Sequence, residues 1–366
     1  MPDFAKASLA WTLTWDADWM TAVTFVGASR TVVAGNNLGG MMLWELPEKP
    51  GGDAPKPKLI LDGHTNCVSR LASSPDGKAV YSASYDHAVK VWDVAAKPTG
   101  ERNLVLNARA IASAEARKRN GAKVPPALPA TVGVIGPAKT LTGHDEWVVG
   151  LDLTRDGKGL LTGDDAGKVI RWDTATGTSA KSWTTTGWAY GVALSPDQSE
   201  ACVGERRPLI FDSARQAGLK LWDAKTGEMK KDLSAAFKGQ HIAACAYSRD
   251  GKLLAVGRGG EADGTNGTVT LLEPGTGKKI RALAPGHLSG LTDLTFHPDG
   301  QHIASSGRDT VVRVWEVATG KLVGEIGKGR GGQFKDWIHA IAFSADGRWL
   351  LAADMIGAVQ VWHLPG

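Results

Sequence analysis

One pattern is written seven times along this chain. Its clearest copy runs Gly63-His64, then Ser74-Pro75-Asp76-Gly77, then Asp86, then Trp92-Asp93. Self-similarity at a period of roughly forty residues marks stacked four-stranded units that bury their faces only against one another. Each copy closes on a Trp, at Trp44, Trp92, Trp172, Trp222, Trp315 and Trp362, with Leu272 in the remaining copy. Upstream of most of these stands a turn such as Thr154-Arg155-Asp156-Gly157, Ser195-Pro196-Asp197-Gln198 or His297-Pro298-Asp299-Gly300. Pro pre-sets φ for a turn and Gly accepts positive φ, so these join paired strands. The flanking runs, for example Val311-Val312-Arg313-Val314-Trp315, alternate with a period of two and are β-branched, as strands are.

These residues resemble the WD40 repeat family over nearly the whole chain. Gly-His stands at Gly63-His64, Gly143-His144 and Gly286-His287, and Trp-Asp at Trp92-Asp93, Trp172-Asp173 and Trp222-Asp223. The terse repeats are similar to bacterial members. The resemblance implies an all-β fold over residues 8–366: a seven-bladed β-propeller of four-stranded antiparallel blades, its ring closed by an N-terminal strand. Ser8 to Thr14 is expected to pair with Ala358 to Leu364, leaving no open sheet edge. The resemblance also implies a structural tetrad inside a blade. His64, Ser84 (or Ser82), Asp86 and Trp92 match it, as do His287, Asp309 and Trp315, with Ser305 in place of the nearer Gly307. Blade three departs, with Ala166 at the Asp position and Asp164 two residues earlier. Blades one and seven shift likewise, to Asn36 and Asp354. These three blades are expected to lean on apolar packing, and Asp164 to matter less than Asp86.

Residues 95–138 interrupt the repeat. They carry seven basic and two acidic residues, so the rest of a chain of net charge +4 is close to −1. This basic, Ala/Arg/Pro-rich insertion between blades two and three is expected on the bottom face. It is either an arm for an acidic partner or a solvated helix against the rim, and is dispensable for folding. No apolar run approaches the length of a membrane span. Met1-Pro2-Asp3-Phe4-Ala5-Lys6 lacks the basic and apolar regions of a signal peptide. Cys67, Cys202 and Cys245 are odd in number and form no CxxC, so neither a disulfide framework nor a zinc site is expected. The cytoplasm follows as the expected location, the alternative being export after loss of a signal.

Two long second-to-third-strand loops, Gly204 to Gly218 with Arg206 and Gly257 to Gly267 with Arg258, should rise from the top face, where binding concentrates. Asp263 to Gly267 lacks the acidic spacing of a calcium loop. Aligning the repeats on their turns places Trp19, Cys67, Trp147, Trp188, His241, Gly290 and Trp337 at one rotational position, just before the innermost strand. Four indoles in that register should surround the channel mouth, with Asp18, Glu146 and Asp336 beside three of them. Indole faces beside carboxylates suit a cationic side chain; the plainer alternative is an apolar plug.

No nucleophile motif, phosphate loop or metal-ligand spacing is present, so neither cofactor nor metal is expected. The expected function is a non-catalytic scaffold that recognises a peptide or protein segment on the top face, as a monomer or within a larger complex. One alternative is a propeller enzyme using Asp16, Asp18, His241 and Asp336. A second is contact with an acidic partner or nucleic acid through the insertion, though nucleic acid suits the propeller poorly because it lacks a basic face.

Overall fold

The computed structural model describes residues 2–15, 19–116, 123–206, 217–237, 240–259, 267–288, 290–327 and 336–366. Seven sheets, each built on four antiparallel strands, are arranged as a β-propeller. From inside outward, blade one is Met20–Phe25, Thr31–Asn36, Met41–Glu45 and Pro57–Leu61; blade two is Val68–Ser73, Ala79–Ser84, Val89–Asp93 and Lys139–Leu141. Blade three is Val148–Leu153, Gly159–Asp164, Lys168–Asp173 and Thr178–Thr184; blade four is Trp188–Leu194, Glu200–Arg206, Leu219–Asp223 and Met229–Asp232. Blade five is Ile242–Tyr247, Leu254–Arg258, Gly267–Leu272 and Lys279–His287; blade six is Leu291–Phe296, His302–Gly307, Val312–Glu316 and Leu322–Ile326. Blade seven is Ile338–Phe343, Trp349–Asp354 and Ala358–His363, completed on its outer edge by Ser8–Thr14. The closing pair runs antiparallel from Ser8↔His363 to Thr14↔Ala358, as expected. Core clusters form between neighbouring blades: Leu161 and Val169 of blade three, for example, pack with Val192 and Val203 of blade four.

The turns between first and second strands define the bottom end. Their hydroxyls close on their own carboxylates, Ser74 on Asp76 at 2.6 Å and Thr154 on Asp156 at 2.6 Å, with the same bond in Ser195/Asp197, Ser248/Asp250 and Ser344/Asp346. The residue after the Asp takes positive φ, +70° at Gly77. Gln198 is held there too, at +58°, where the turn requires it despite a side chain.

The tetrad is built differently from expectation in two respects. In blade two His64 bridges Asp86 Oδ2 at 2.7 Å and Ser82 Oγ at 2.6 Å, and the Trp92 indole donates to the same Ser82 at 2.8 Å. Ser82 is therefore the hydroxyl member. Ser84 instead donates to the Asn66 carbonyl at 2.9 Å. Blade three carries a complete network: His144 bridges Asp164 at 2.9 Å and Thr162 at 2.6 Å, and Trp172 donates to Thr162 at 2.8 Å. The carboxylate comes from the end of the second strand rather than the following turn. There it also caps the backbone N–H groups of Ala166 and Lys168. Asn36 and Asp354 cap backbone N–H groups in the same way. In blade six His287 joins Asp309 and Ser305, both at 2.8 Å, and Arg313 adds a bond to Asp309, but Trp315 turns to the Ala284 carbonyl. Blade four substitutes a buried ion pair, Lys220 to Glu205 at 2.7 Å, flanked by Thr185 and Thr186.

The insertion extends blade one rather than lying beneath the ring. Its strands Gly100–Val105 and Pro129–Ile135 pair antiparallel, with helix Ala108–Ala116 between them. Pro129–Ile135 then runs parallel to Pro57–Leu61, making blade one six-stranded. Val132 is buried in the cluster between blades seven and one, and Ile135 in the cluster between blades one and two.

Candidate functional site

Backbone bonds fix the rotational equivalence at the top end. The residue leading each inner strand accepts from the residue that follows the second strand: Asn37 N to Trp19 O, Tyr85 N to Cys67 O, Asp165 N to Trp147 O, Gly259 N to His241 O, Arg308 N to Gly290 O and Met355 N to Trp337 O. In blade four the same position is the strand pair Trp188↔Arg206. The four indoles thus hold equivalent ring positions. Trp19 and Trp147 are exposed, at 45% and 42%, and Trp188 and Trp337 are half-buried.

Two residues of a preceding blade's rim cover an indole. Tyr85 of blade two stacks on Trp147 of blade three, centroids 4.7 Å apart. Arg308 of blade six lies over Trp337 of blade seven at 4.4 Å. A recess of about 290 Å³ opens between Trp19, Asn66, Cys67, Arg70, Tyr85, Tyr190 and His339. Below it the channel holds a second cavity of about 210 Å³, which Arg70, Tyr190, Asp152 and Asp293 also line.

Arginine side chains gather at this mouth. Arg206 and Arg70 both lie against the Tyr190 ring, at 4.2 and 5.2 Å. Burial pushes the Tyr190 phenol up, but the charges of Arg206 and Arg70 outweigh it and hold its pKa below the usual tyrosine value. Burial, reinforced by Arg70, Arg308 and Arg206, depresses the His339 pKa to about 4. Cys67 is raised to about 11 by burial, so it stands as a neutral thiol. Three guanidinium groups around tyrosine, tryptophan and a neutral imidazole disfavour a cationic ligand. Glu146 is exposed, and Asp336 accepts from the backbone N–H of Trp337 at 2.8 Å. Asp16 and Asp18 lie outside the described residues, as do most residues of the two long loops. His241 is buried, and Arg258 is engaged within blade five by Thr268 and Gln240, both at 2.6 Å.

Deeper in the channel the carboxylates tie blades together. Asp152 of blade three accepts from Leu194 N of blade four at 2.7 Å, and Asp293 of blade six from Ile341 N of blade seven at 3.0 Å. Arg70 and Tyr190 carry no motif signal. Their alternating positions on inner strands, Val68–Ser73 and Trp188–Leu194, are the one clue that could have placed them at the axis.

The family pattern described as WD domain, G-beta repeat matches residues 55–93, 136–173 and 277–316. These are the three segments that contain His64, His144 and His287 with their hydroxyl and carboxylate partners. The small ribosomal subunit protein RACK1y of Oryza sativa subsp. japonica is 27% identical over 353 residues, spanning 84% of this chain and 95% of that protein. Autophagy-related protein 16 of Arabidopsis thaliana is 25% identical over 239 residues, 56% of this chain and 45% of that protein. WD repeat-containing protein SL1-17 of Schistosoma mansoni is 25% identical over 182 residues, 50% of this chain and 54% of that protein. The chain thus spans about half the length of these last two relatives. Those three segments carry the WD-repeat pattern, and the chain is similar to WD-repeat proteins.

Proposed function

We propose that this protein is a non-catalytic platform that recognises a peptide or protein segment at the top mouth of its channel. The observation that carries this reading is the mouth itself: exposed Trp19 and Trp147 beside a recess floored by Arg70, Tyr190 and His339. Large aromatic and arginine side chains in a partly desolvated recess are the groups that dominate binding energy at interfaces. The guanidinium groups of Arg70, Arg206 and Arg308 favour an acidic side chain on the bound segment over the cationic one suggested by sequence. A relative whose name places it in a ribosomal subunit is in keeping with a partner-holding role. The imidazoles of the Gly-His pairs have both nitrogens engaged within their blades, which supports a structural rather than a catalytic use. No helix among the described residues is long and apolar enough to cross a membrane. The cysteines are free thiols, and we place the protein in the cytoplasm on that ground.

The test is affinity capture with three baits: wild type, Trp147→Ala/Trp188→Ala/Trp337→Ala, and Arg206→Glu/Arg308→Glu. A partner bound by wild type should be lost from the triple variant and from the charge-reversed one. Retention on both variants overturns the top-mouth reading. Retention on the charge-reversed variant alone removes the acidic preference and leaves the aromatic one.

A further inference from the structure

We propose that the bottom turn of blade six binds a divalent transition metal of the zinc type, through His297 Nδ1, His302 Nδ1 and a carboxylate oxygen of Asp299. This site lies at the opposite end of the ring from the top mouth and does not rest on the reading given there.

Both imidazoles converge on one oxygen. Asp299 Oδ2 is 3.0 Å from His297 Nδ1 and 2.7 Å from His302 Nδ1, and the three donor atoms lie within 4.8 Å of one another. Zinc holds nitrogen and carboxylate oxygen at about 2.0–2.2 Å in tetrahedral geometry, which spaces neighbouring donors by about 3.4 Å. The side chains would adjust to that spacing around one ion, the carboxylate oxygen moving slightly away from each nitrogen. Two nitrogens with one carboxylate suit zinc and its first-row neighbours rather than magnesium or calcium.

The ligands are already oriented. His297 Nε2 faces the Gly347 carbonyl of blade seven at 3.0 Å, while its Nδ1 accepts from the Asp299 N–H at 3.3 Å. With Nε2 on the Gly347 carbonyl, Nδ1 is the nitrogen that faces the carboxylate, and a bound metal would take its one lone pair in place of the Asp299 N–H. Held this way, His297 already has the second-sphere support typical of a metal-bound histidine. Gly347 makes the cradle, since a Cβ there would sit 2.5 Å from the His297 ring. The other Asp299 oxygen is fixed by the N–H groups of Gln301 and His302 at 2.8 and 3.2 Å. Phe4 packs edge-on against both imidazoles. The two histidines are buried and Asp299 is exposed, so a metal enters from the carboxylate side and keeps water in its remaining position. His302 coordinates through Nδ1 once its hydrogen moves to Nε2.

The sister turns supply the contrast. There a Ser or Thr hydroxyl bonds the Asp, and one imidazole at 297 could simply replace that hydroxyl. That explanation leaves the second imidazole, at 302, without a reason.

The experiment is calorimetric titration of the tag-free chain with ZnCl₂, paired with thermal melts and repeated on His297→Ser, which restores the sister turn, and on His302→Ala. Wild type should bind one equivalent saturably, and its melting temperature should rise with zinc by mass action. Both variants should melt near wild type without metal, bind zinc at least about a hundredfold more weakly, and show no zinc-dependent shift. Co²⁺ added to wild type should give the visible absorption of a tetrahedral site, absent in the variants. Failure of wild type to bind one equivalent overturns the site, and so does unchanged binding in either variant. Should a variant not fold, the Co²⁺ spectrum of wild type decides alone: an octahedral spectrum identical to the buffered ion overturns the assignment.

Discussion

Tyr85 of blade two lies flat against Trp147 of blade three, ring centroids 4.7 Å apart and planes within 2°. The stack crosses a blade boundary at the solvent edge of the mouth, so it couples two sheets as well as shaping a surface. Offset aromatic pairs contribute about 0.5–1.5 kcal/mol beyond area burial. A double-mutant cycle with Tyr85→Ala and Trp147→Ala, read by urea denaturation, should give a coupling energy in that range. Strict additivity would show that the two rings do not support each other.

Asp164→Ala should destabilise at least as much as Asp86→Ala, each by about 1–3 kcal/mol, because buried donors are left unsatisfied. Asp164 is fully buried and serves His144 together with the N–H groups of Ala166 and Lys168. Asp86 serves His64 with the N–H groups of Thr65 and Ala88 and is slightly more open. Chemical denaturation of both variants tests the order, and a clearly milder Asp164→Ala contradicts it.

Burial raises the Asp152 carboxyl from 3.8 to about 6, against the pull of its backbone donors. Its folded pKa exceeds the unfolded value, so the native state holds the extra proton. Stability therefore falls as pH rises from about 4 to 6 and stays lowered above that. Asp152→Asn keeps an acceptor for Leu194 N and removes the charge. With 1.36 kcal/mol per pKa unit, reduced by channel solvent, it should stabilise by roughly 1–2 kcal/mol at pH 7.5. Below pH 4 the difference should vanish. His339 slopes the opposite way, since its depressed pKa costs stability as pH falls from 6.5 toward 4. A gain from Asp152→Asn that is independent of pH would contradict the assignment.

Replacing residues 98–136 with a short Gly/Ser linker should yield a protein that aggregates or melts much lower, contrary to the dispensability expected from composition. The replacement strips a parallel strand from Pro57–Leu61 and uncovers the core around Ile60 and Leu61. Ile135→Ala alone should cost about 2–4 kcal/mol as a core truncation. A linker variant with wild-type melting behaviour would show that the hairpin only decorates the blade.

The ring was legible because its rules are local. A Trp closing a strand and a turn needing positive φ recur whatever lies around them, and the chain-end pairing follows from counting strands. The Asp164 network was obscured because a carboxylate two residues early reaches the same imidazole from the strand end. Ser82 and Ser84 share one face of the same strand, and only their height along it decides which one meets Trp92. The insertion's second strand did offer Thr131-Val132-Gly133-Val134-Ile135, an alternating β-branched run overshadowed by its basic, proline-rich surroundings. The arginines at the mouth were not legible beside the indoles, because Arg70, Arg206 and Arg308 reach it from other strands and blades.

The pairing of Ser8–Thr14 with Ala358–His363 also sets an order of events in the making of the protein. As the chain leaves the ribosome, blades one to six can form in turn from strands close in sequence. The first strand has no sheet to join until the final one emerges. Trp11 and Leu13, buried in the finished ring, stay uncovered throughout that interval. Among the strands of the ring, the longest exposure of apolar surface thus falls on the one made first, which makes that strand the natural place for a chaperone to hold.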